Sequence, residues 1–314
     1  MKSRTGPRLA AGLIAGTLVG ALAFVASCGD AGPTAPKPPT NATSHAGFDI
    51  SGYPGDAAMQ AWKYPTSPFT WVGYYFPAPC HRDTTWSGKR ATIASMGWGT
   101  AAIYVGQQDW TQILTRIPDT WMPALTPGEH TPLSVRALGD LAPGSAPIEA
   151  TSPSCSSSLL TIPEGMSEAT DAANKMAANG YPTGSVVYLD VEYVRTVSPE
   201  LLAYYRAWLT GILADGRYRA GVYMAKTNAQ ILHDAAVDVY KTSGRADTPI
   251  FWIAGSNGFT TSSDPTDIGL SYASLWQGLF DVSRFYGGWS LTIDLDVASS
   301  ADPSAPPTVV AADR

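Results

Sequence analysis

Two carboxylic acids lie in the middle of an apolar stretch of the sequence, VVYLDVEYV at 186–194. Asp190 and Glu192 are two positions apart, so in a β-strand both side chains lie on the same face. The residues that alternate with them are apolar and would contact covering helices. Because an ionised carboxylate is costly to bury without partners, the pattern indicates either a structural ion pair or a cavity where acid chemistry takes place.

Two further predicted strands carry acids with the same alternation. Asp49 lies in GFDIS at 47–51, and Asp294 and Asp296 lie in SLTIDLDVAS at 290–299. In a closed barrel the first and last strands are neighbours and the fourth lies across from them, so five carboxylates would converge on one cavity. Closely spaced like charges raise one another's pKa, which keeps a carboxylic acid protonated near neutral pH. This convergence favours a binding or catalytic site over structural ion pairs.

Aromatic side chains in the predicted strands supply a second feature of a sugar site. Any one of them is more often part of a core, but together, near carboxylates, they suit stacking against pyranose rings. The candidates for substrate binding are Tyr75, Tyr104, Tyr188, Tyr223, Trp252 and Trp276.

Other chemistries find less support in the sequence. Carboxylates alone suit Mg²⁺ or Ca²⁺, which keeps a metal-dependent esterase or phosphodiesterase open as an alternative. The four histidines are scattered along the chain, and neither a Ser–His–acid pattern nor a phosphate-binding glycine loop stands out. We therefore predict no metal and no cofactor.

The elements that position these residues alternate between short apolar runs and helical patterns, which predicts an α/β fold with a parallel sheet. Residues 47–300 match a single-domain (β/α)₈ TIM-type barrel, with a doubly wound open sheet as the alternative. The eight candidate strands are 47–51, 69–76, 99–106, 185–192, 219–225, 249–255, 272–278 and 290–299.

The clearest predicted helix follows the strand that carries Asp190 and Glu192. Ser198 can cap it, Pro199 suits its first turn, and Gly216 ends it. Another helix is predicted near 167–179, before that strand. A long Pro- and Ser-rich loop at 107–165 follows the third strand, where a barrel places loops over the active face.

The N-terminal residues 1–27 predict an export signal, since three basic residues precede an apolar run. The run ends in Val-Ala-Ser before Cys28, which resembles the bacterial lipobox, where the cysteine is lipidated and becomes the mature N-terminus. A plain membrane anchor or a soluble secreted protein is the alternative. Residues 28–46 then form a flexible Pro-rich linker, and residues 301–314 a disordered tail.

Export also bears on the two remaining cysteines. Outside the cytoplasm a pair of thiols tends to be oxidised, and Cys80 and Cys155 alone would give a metal too few ligands. We predict a disulfide between them. The formal net charge of −6, with no Lys/Arg run, argues against a nucleic-acid partner, and we expect a monomer.

Several of these motifs occur together in known families. GFDIS, YLDVE, SLWQ and TIDLDV appear in the order seen in family-25 glycoside hydrolases, the muramidases of barrel fold. With WGTAAIYVGQQ at 98–108 and RAGVY at 219–223 included, the sequence resembles more closely the glycoside hydrolase-like domain of unknown function 1906. The resemblance spans essentially all of 47–300.

This resemblance implies roles for individual residues. It makes Glu192 the general acid and Asp190 its charge-stabilising partner, with Asp49 and Asp294 completing an acidic floor. Gln277, from SLWQ, joins the substrate-binding candidates. Asp296 stands where the muramidases commonly have Asn, which changes the charge balance of the floor.

Taken together, these features predict an exported, membrane-anchored lipoprotein of the cell envelope. Its barrel is expected to bind and hydrolyse a peptidoglycan-like cell-wall glycan by carboxylate acid/base chemistry. A non-catalytic glycan-binding protein is the main alternative.

Lipidation of Cys28 is directly testable. Labelled fatty acid should enter the wild-type protein but not Cys28→Ser, which should be released into soluble fractions. Stable attachment takes more than one acyl chain, so mass spectrometry of the N-terminal peptide should show diacylation. Equal labelling of the two proteins would exclude the anchor.

Overall fold

Eight strands close into a barrel in the computed structural model of the chain, each neighbouring the next in sequence order. They are β1 His45–Asp49, β2 Trp71–Tyr75, β3 Gly99–Val105, β4 Val186–Val191, β5 Arg219–Ala225, β6 Ile250–Ala254, β7 Ala273–Tyr286 and β8 Trp289–Ala298. All eight predicted strands are confirmed, and the single-domain α/β barrel with them.

The structure describes residues 44–63, 65–114 and 153–307. The predicted export signal, Cys28 and most of the linker lie outside these residues, as do 115–152 of the long loop and 308–314 of the tail. The linker prediction runs to residue 46, whereas β1 already begins at His45.

Helices cover the outside of the barrel. They are α1 Asp56–Ala61, α2 Arg90–Ser95, α3 Trp110–Leu114, α4 Ile162–Ala178, α5 Pro199–Asp215 and α6 Ala229–Thr242, with short 3₁₀ helices at Ser157–Leu159 and Pro265–Ile268. Within the described ranges, no helix combines the length and apolar character needed to cross a membrane.

Helix α5 forms where the sequence predicts it. Ser198 caps it by accepting a hydrogen bond from the Leu201 N–H, Pro199 occupies the first turn, and Gly216 ends it. Its apolar face is buried against the barrel and α4, through Leu201, Tyr204, Tyr205, Trp208, Leu209 and Ile212.

Strand β8 runs opposite to the predicted direction. Strands β1 to β7 are parallel, but β8 is antiparallel to both β7 and β1. The cause is the tight turn at Gly287 and Gly288, whose φ values of 55° and 86° favour glycine. Two residues can join antiparallel strands, whereas parallel strands need a crossover. A hairpin of β7 and β8 therefore replaces the crossover helix expected between the last two strands.

This β7–β8 hairpin extends past the barrel and packs on the aromatic layer outside β1. The Tyr286 ring lies 5.2 Å from that of Trp62, and Trp62 Nε1 donates to the Trp289 carbonyl. Trp62 in turn contacts the outward-facing Phe48 of β1. The hairpin thus covers an outer face of the barrel.

The segment predicted as a tail begins inside the fold. Ser304 is 1% exposed; its N–H donates to Thr100 and its Oγ accepts from Ala102, both in β3. The Val186 N–H of β4 donates to the Ser304 carbonyl. Residues 301–307 therefore belong to the barrel, because they satisfy backbone groups at the N-terminal ends of β3 and β4.

The Cys80–Cys155 disulfide is present, as predicted, with the two Cα atoms 5.0 Å apart. The Cys80 N–H donates to Val105 at the end of β3, and Trp110 Nε1 lies 3.1 Å from Cys155 Sγ. The disulfide joins the β2–α2 loop to the end of the long loop.

The disulfide closes a loop of 75 residues. By lowering the entropy of the unfolded chain, it should raise the free energy of the unfolded state by about 4 kcal/mol. Replacing both cysteines by serine should reduce the free energy of unfolding by about that amount, measured by urea denaturation. Reductant should lower the stability of the wild-type protein and leave the double variant unchanged. Equal stability of the two proteins without reductant would contradict this expectation.

Candidate active site

The C-terminal ends of the parallel strands surround a small cavity with about 20 Å³ of enclosed space. It contains four of the five predicted carboxylates, together with aromatic and amide side chains. Its lining is Asp49, Tyr75, Ile103, Asp190, Glu192, Tyr223, Trp252, Gln277 and Asp294.

Asp49 and Asp294 face each other as Cα partners on β1 and β8. The Gln277 amide Nε2 donates to both, at 2.6 Å to Asp49 Oδ2 and 3.0 Å to Asp294 Oδ2. Asp49 Oδ1 accepts from the Tyr75 hydroxyl at 2.6 Å, and Asp294 Oδ1 from the Asp281 N–H at 2.8 Å. Donors thus separate two neighbouring acids.

Gly73 makes room for this arrangement. A Cβ atom at position 73 would lie 2.6 Å from the Cβ of Asp49 and 2.9 Å from the Cδ1 of Ile103. A side chain on β2 at this level would therefore displace Asp49 from the cavity floor.

Gln108 fixes the end of β4 that carries the acidic pair. Its Oε1 accepts from the Glu192 N–H at 3.0 Å, and its Nε2 donates to the Asp190 carbonyl at 2.8 Å. The residue is 1% exposed. Gln108 is not among the site residues predicted from the sequence, although a polar Gln107-Gln108 pair directly after a buried strand was an available signal.

Tyr223 is a neutral donor among the acids. It is the Cα partner of Asp190 on β5, and its hydroxyl donates to Gln277 Oε1 at 2.5 Å. Burial raises the pKa of Tyr223 well above its ordinary value, and the charges of Glu192, Asp190, Asp49 and Asp294 raise it further.

Trp252 forms the floor of the cavity. Its ring lies 5.4 Å from that of Tyr223, 5.6 Å from Trp71 and 5.8 Å from Tyr188. Beneath it lies Asp296, which is fully buried and accepts from Trp252 Nε1 at 3.1 Å. The structure therefore places Asp296 below the cavity rather than in its lining.

Half of the six predicted aromatics line the cavity, namely Tyr75, Tyr223 and Trp252. Tyr104 and Trp276 lie on the opposite face of their strands, since their neighbours Ile103 and Gln277 point inward. The Tyr104 hydroxyl donates to Asp171 Oδ2 on α4, and Trp276 Nε1 donates to the Gly255 carbonyl. Tyr188 lies at the other end of the barrel, where its hydroxyl donates to the Pro303 carbonyl.

The family described as Rv2525c-like, glycoside hydrolase-like domain matches residues 60–298 of the sequence. The chain belongs to this family.

Three solved structures illustrate what this glycoside hydrolase-like domain is similar to. An uncharacterized protein of B. stearothermophilus is 15% identical over 81% of this chain and 95% of its own, with a TM-score of 0.46. The Tat-secreted protein Rv2525c of Mycobacterium tuberculosis, in complex with L-tartrate, is 16% identical over 81% and 94%, with a TM-score of 0.44. The spore cortex lytic enzyme SleM of Clostridium perfringens is 13% identical over 84% and 70%, with a TM-score of 0.48. At these values the similarities carry no argument about function. No curated protein matches the chain.

The cavity of the glycoside hydrolase-like domain is acidic without a basic residue in its lining. In the part of the chain that the structure describes, no group of three or more His, Cys, Asp or Glu side chains is arranged to hold a metal ion. Neutral donors stabilise the carboxylates instead, and Gln277 donates to two of them.

Gln277→Glu should lower the stability of the fold at neutral pH, because it replaces the amide that separates the two carboxylates. The new carboxyl would lie between Asp49 and Asp294, so its pKa would rise in the folded state. Holding a Glu neutral costs about 1.4 kcal/mol for each pH unit above its ordinary pKa, so the variant should lose up to about 4 kcal/mol of stability at pH 7. The loss should shrink toward zero near pH 4.

Thermal unfolding between pH 4 and 8 measures this effect. Gln60→Glu, on the exposed face of α1, is the matched control and should show no comparable pH dependence. Parallel curves for the two variants would show that the amide does not separate charges.

Proposed function

We propose that this glycoside hydrolase-like domain binds a peptidoglycan-like cell-wall glycan in the cavity and hydrolyses it. The proposal depends on one observation: Asp49, Asp190, Glu192 and Asp294, from β1, β8 and the end of β4, line the same cavity. Active sites of barrels of this type lie at this end.

Glycosidases need one acid that protonates the leaving oxygen and one ionised group that supports positive charge at the reacting carbon. Glu192 suits the first role because it lies at the rim, half-buried, just past the last residue of β4. Asp190 suits the second because it is deeper, at 6% exposure. Residues two apart on a strand are about 6.6 Å apart at Cα, so both can face one sugar.

The remaining lining residues suit sugar binding. Tyr75, Tyr223 and Gln277 present polar atoms, while Trp252 closes the floor with an aromatic ring. The enclosed space of about 20 Å³ holds about one water molecule, so the glycan would lie across the mouth of the cavity. The reacting ring would lie over these residues, with the rest of the glycan crossing the rim. An acetamido group of that ring could assist the displacement, as the resemblance to muramidases allows.

The cellular setting of this proposal comes from the sequence. An export signal at 1–27 and a lipidated Cys28 would hold the barrel at the cell envelope, next to its glycan. The domain would act as a monomer without a cofactor.

A non-catalytic glycan-binding role is the second candidate. It is favoured by the hydrogen bonds that already engage Asp49 and Asp294, from Tyr75, Gln277 and the Asp281 backbone. Acids held in this way can bind sugar hydroxyls without taking part in proton transfer.

Substitution of the acidic pair separates the two candidates. Glu192→Gln should reduce hydrolysis of purified cell wall by at least about 100-fold, while glycan binding persists because the amide keeps the shape but supplies no acidic proton. Asp190→Asn should cost nearly as much. Soluble products are measured by mass spectrometry, and binding by co-sedimentation.

Glu200→Gln, in the exposed first turn of α5, is the control and should behave like the wild-type protein. Full turnover in Glu192→Gln would remove that residue as the acid. Binding without products in the wild-type protein would favour the second candidate.

A further inference from the structure

The buried acid beneath the cavity, Asp296, has an unusual set of neighbours. Its side chain is 0% exposed, and Oδ1 accepts one hydrogen bond, from Trp252 Nε1. Its other oxygen, Oδ2, is also buried, and no N–H or O–H of the described residues donates to it. An acceptor-only group in this position lacks half of its expected partners.

The groups that face Asp296 are acidic or neutral. Asp49 on β1 and Asp294 on β8 are the neighbouring charges, and both raise the pKa of Asp296, after burial as the first cause. Trp252 on β6 is neutral, and so is Gln277 on β7, which is the Cα partner of Asp296. None of the ion pairs in the described ranges includes Asp296. An ionised carboxylate would therefore be buried beside like charges, which is costly.

Asp296 is the Cα partner of Gly47 on β1, two residues from Asp49 on the same inward face, which is a diagonal pair of neighbouring strands. The two carboxyl groups can therefore interact through a hydrogen bond. Two ionised carboxylates cannot form such a bond, since neither has a proton to donate. With one proton on Asp296, its carboxyl group becomes a donor and Asp49 the acceptor. One proton thus gives the Asp296 carboxyl a hydrogen-bond partner and removes the repulsion between the two acids.

We propose that Asp296 is a positioning residue: as a neutral acid it donates to Asp49 and fixes Asp49 as the permanent negative charge of the cavity floor. Asp49 then receives three hydrogen bonds, from Tyr75, Gln277 and Asp296. A carboxylate with several donors is stabilised in its ionised form. The acid–carboxylate pair carries one proton and titrates as a unit.

The consequence for chemistry rests on the proposed function. A fixed charge on Asp49, across the cavity from Asp190 and Glu192, favours positive charge that develops on a bound sugar. When Asp296 ionises at high pH, Asp49 loses a donor and gains a repelling neighbour. Activity should therefore fall on the alkaline side through a group that does not touch the substrate.

Carbon-13 NMR of protein labelled at the aspartate carboxyl carbons tests the protonation directly. One signal should remain at the position of the neutral acid at pH 7 and be absent from Asp296→Asn. The asparagine amide can donate to Asp49 and accept from Trp252 as the acid does. Its melting temperature should equal that of the wild-type protein at pH 4 and exceed it at pH 8, because only the acid loses stability as pH rises. A wild-type spectrum with every aspartate ionised at pH 7 would overturn the proposal.

Turnover of cell wall tests the positioning role. Asp296→Ala should lower kcat at least about tenfold with KM little changed, and Asp296→Asn should restore most of that loss while removing the alkaline limb of the pH profile. Glu168→Gln is the control, since Glu168 is a buried acid on α4, away from the cavity, whose pKa burial raises to about 7. Equal losses in Asp296→Asn and Asp296→Ala would overturn the positioning role.

The two proposals can fail separately. A wild-type protein without turnover would contradict the proposed hydrolase, while the NMR signal and the melting temperatures still decide the state of Asp296. Turnover together with an ionised Asp296 would contradict only the present inference.

Discussion

The hydrogen bonds of Gln277 to Asp49 and Asp294 are the interaction on which the rest of the site depends. Inward-facing acids on adjacent strands must either pair with cations or be separated by donors, and the cavity lining contains no cation. One amide nitrogen donates to both carboxylates, while its oxygen accepts from Tyr223. A neutral side chain with two N–H groups and one acceptor meets this need, and an acid or a hydrocarbon would not.

Because β7 and β8 form a hairpin, later residues of β8 lie deeper in the barrel, not nearer the rim. On β1 and β4 a later residue lies nearer the rim, but β8 runs downward, so Asp294 reaches the level of Asp49 while Asp296 lies opposite Gly47. The strand therefore supplies one acid to the cavity and one to the layer beneath it. A parallel β8 would have exchanged their positions.

Much of this arrangement could be predicted from local pattern. Strand alternation is enough to place Asp190, Glu192, Asp49 and Asp294 on inward faces, because apolar neighbours fix the opposite face. It did not place Tyr104 and Trp276, since aromatic side chains suit both the helix-facing core and the barrel interior. The contacts of Gln108 and Ser304 also escaped prediction, because each joins segments far apart in sequence and depends on backbone atoms that have no sequence signature.

The attachment of residues 301–307 has a consequence for how the protein is made. Ser304 bonds to Thr100 at the start of β3, about two hundred positions earlier, so this contact has very high sequence separation and forms slowly. The ends of β3 and β4 keep unsatisfied backbone groups until residues 301–307 are in place. Synthesis and, for an exported chain, translocation must therefore pass residue 307 before the barrel can close.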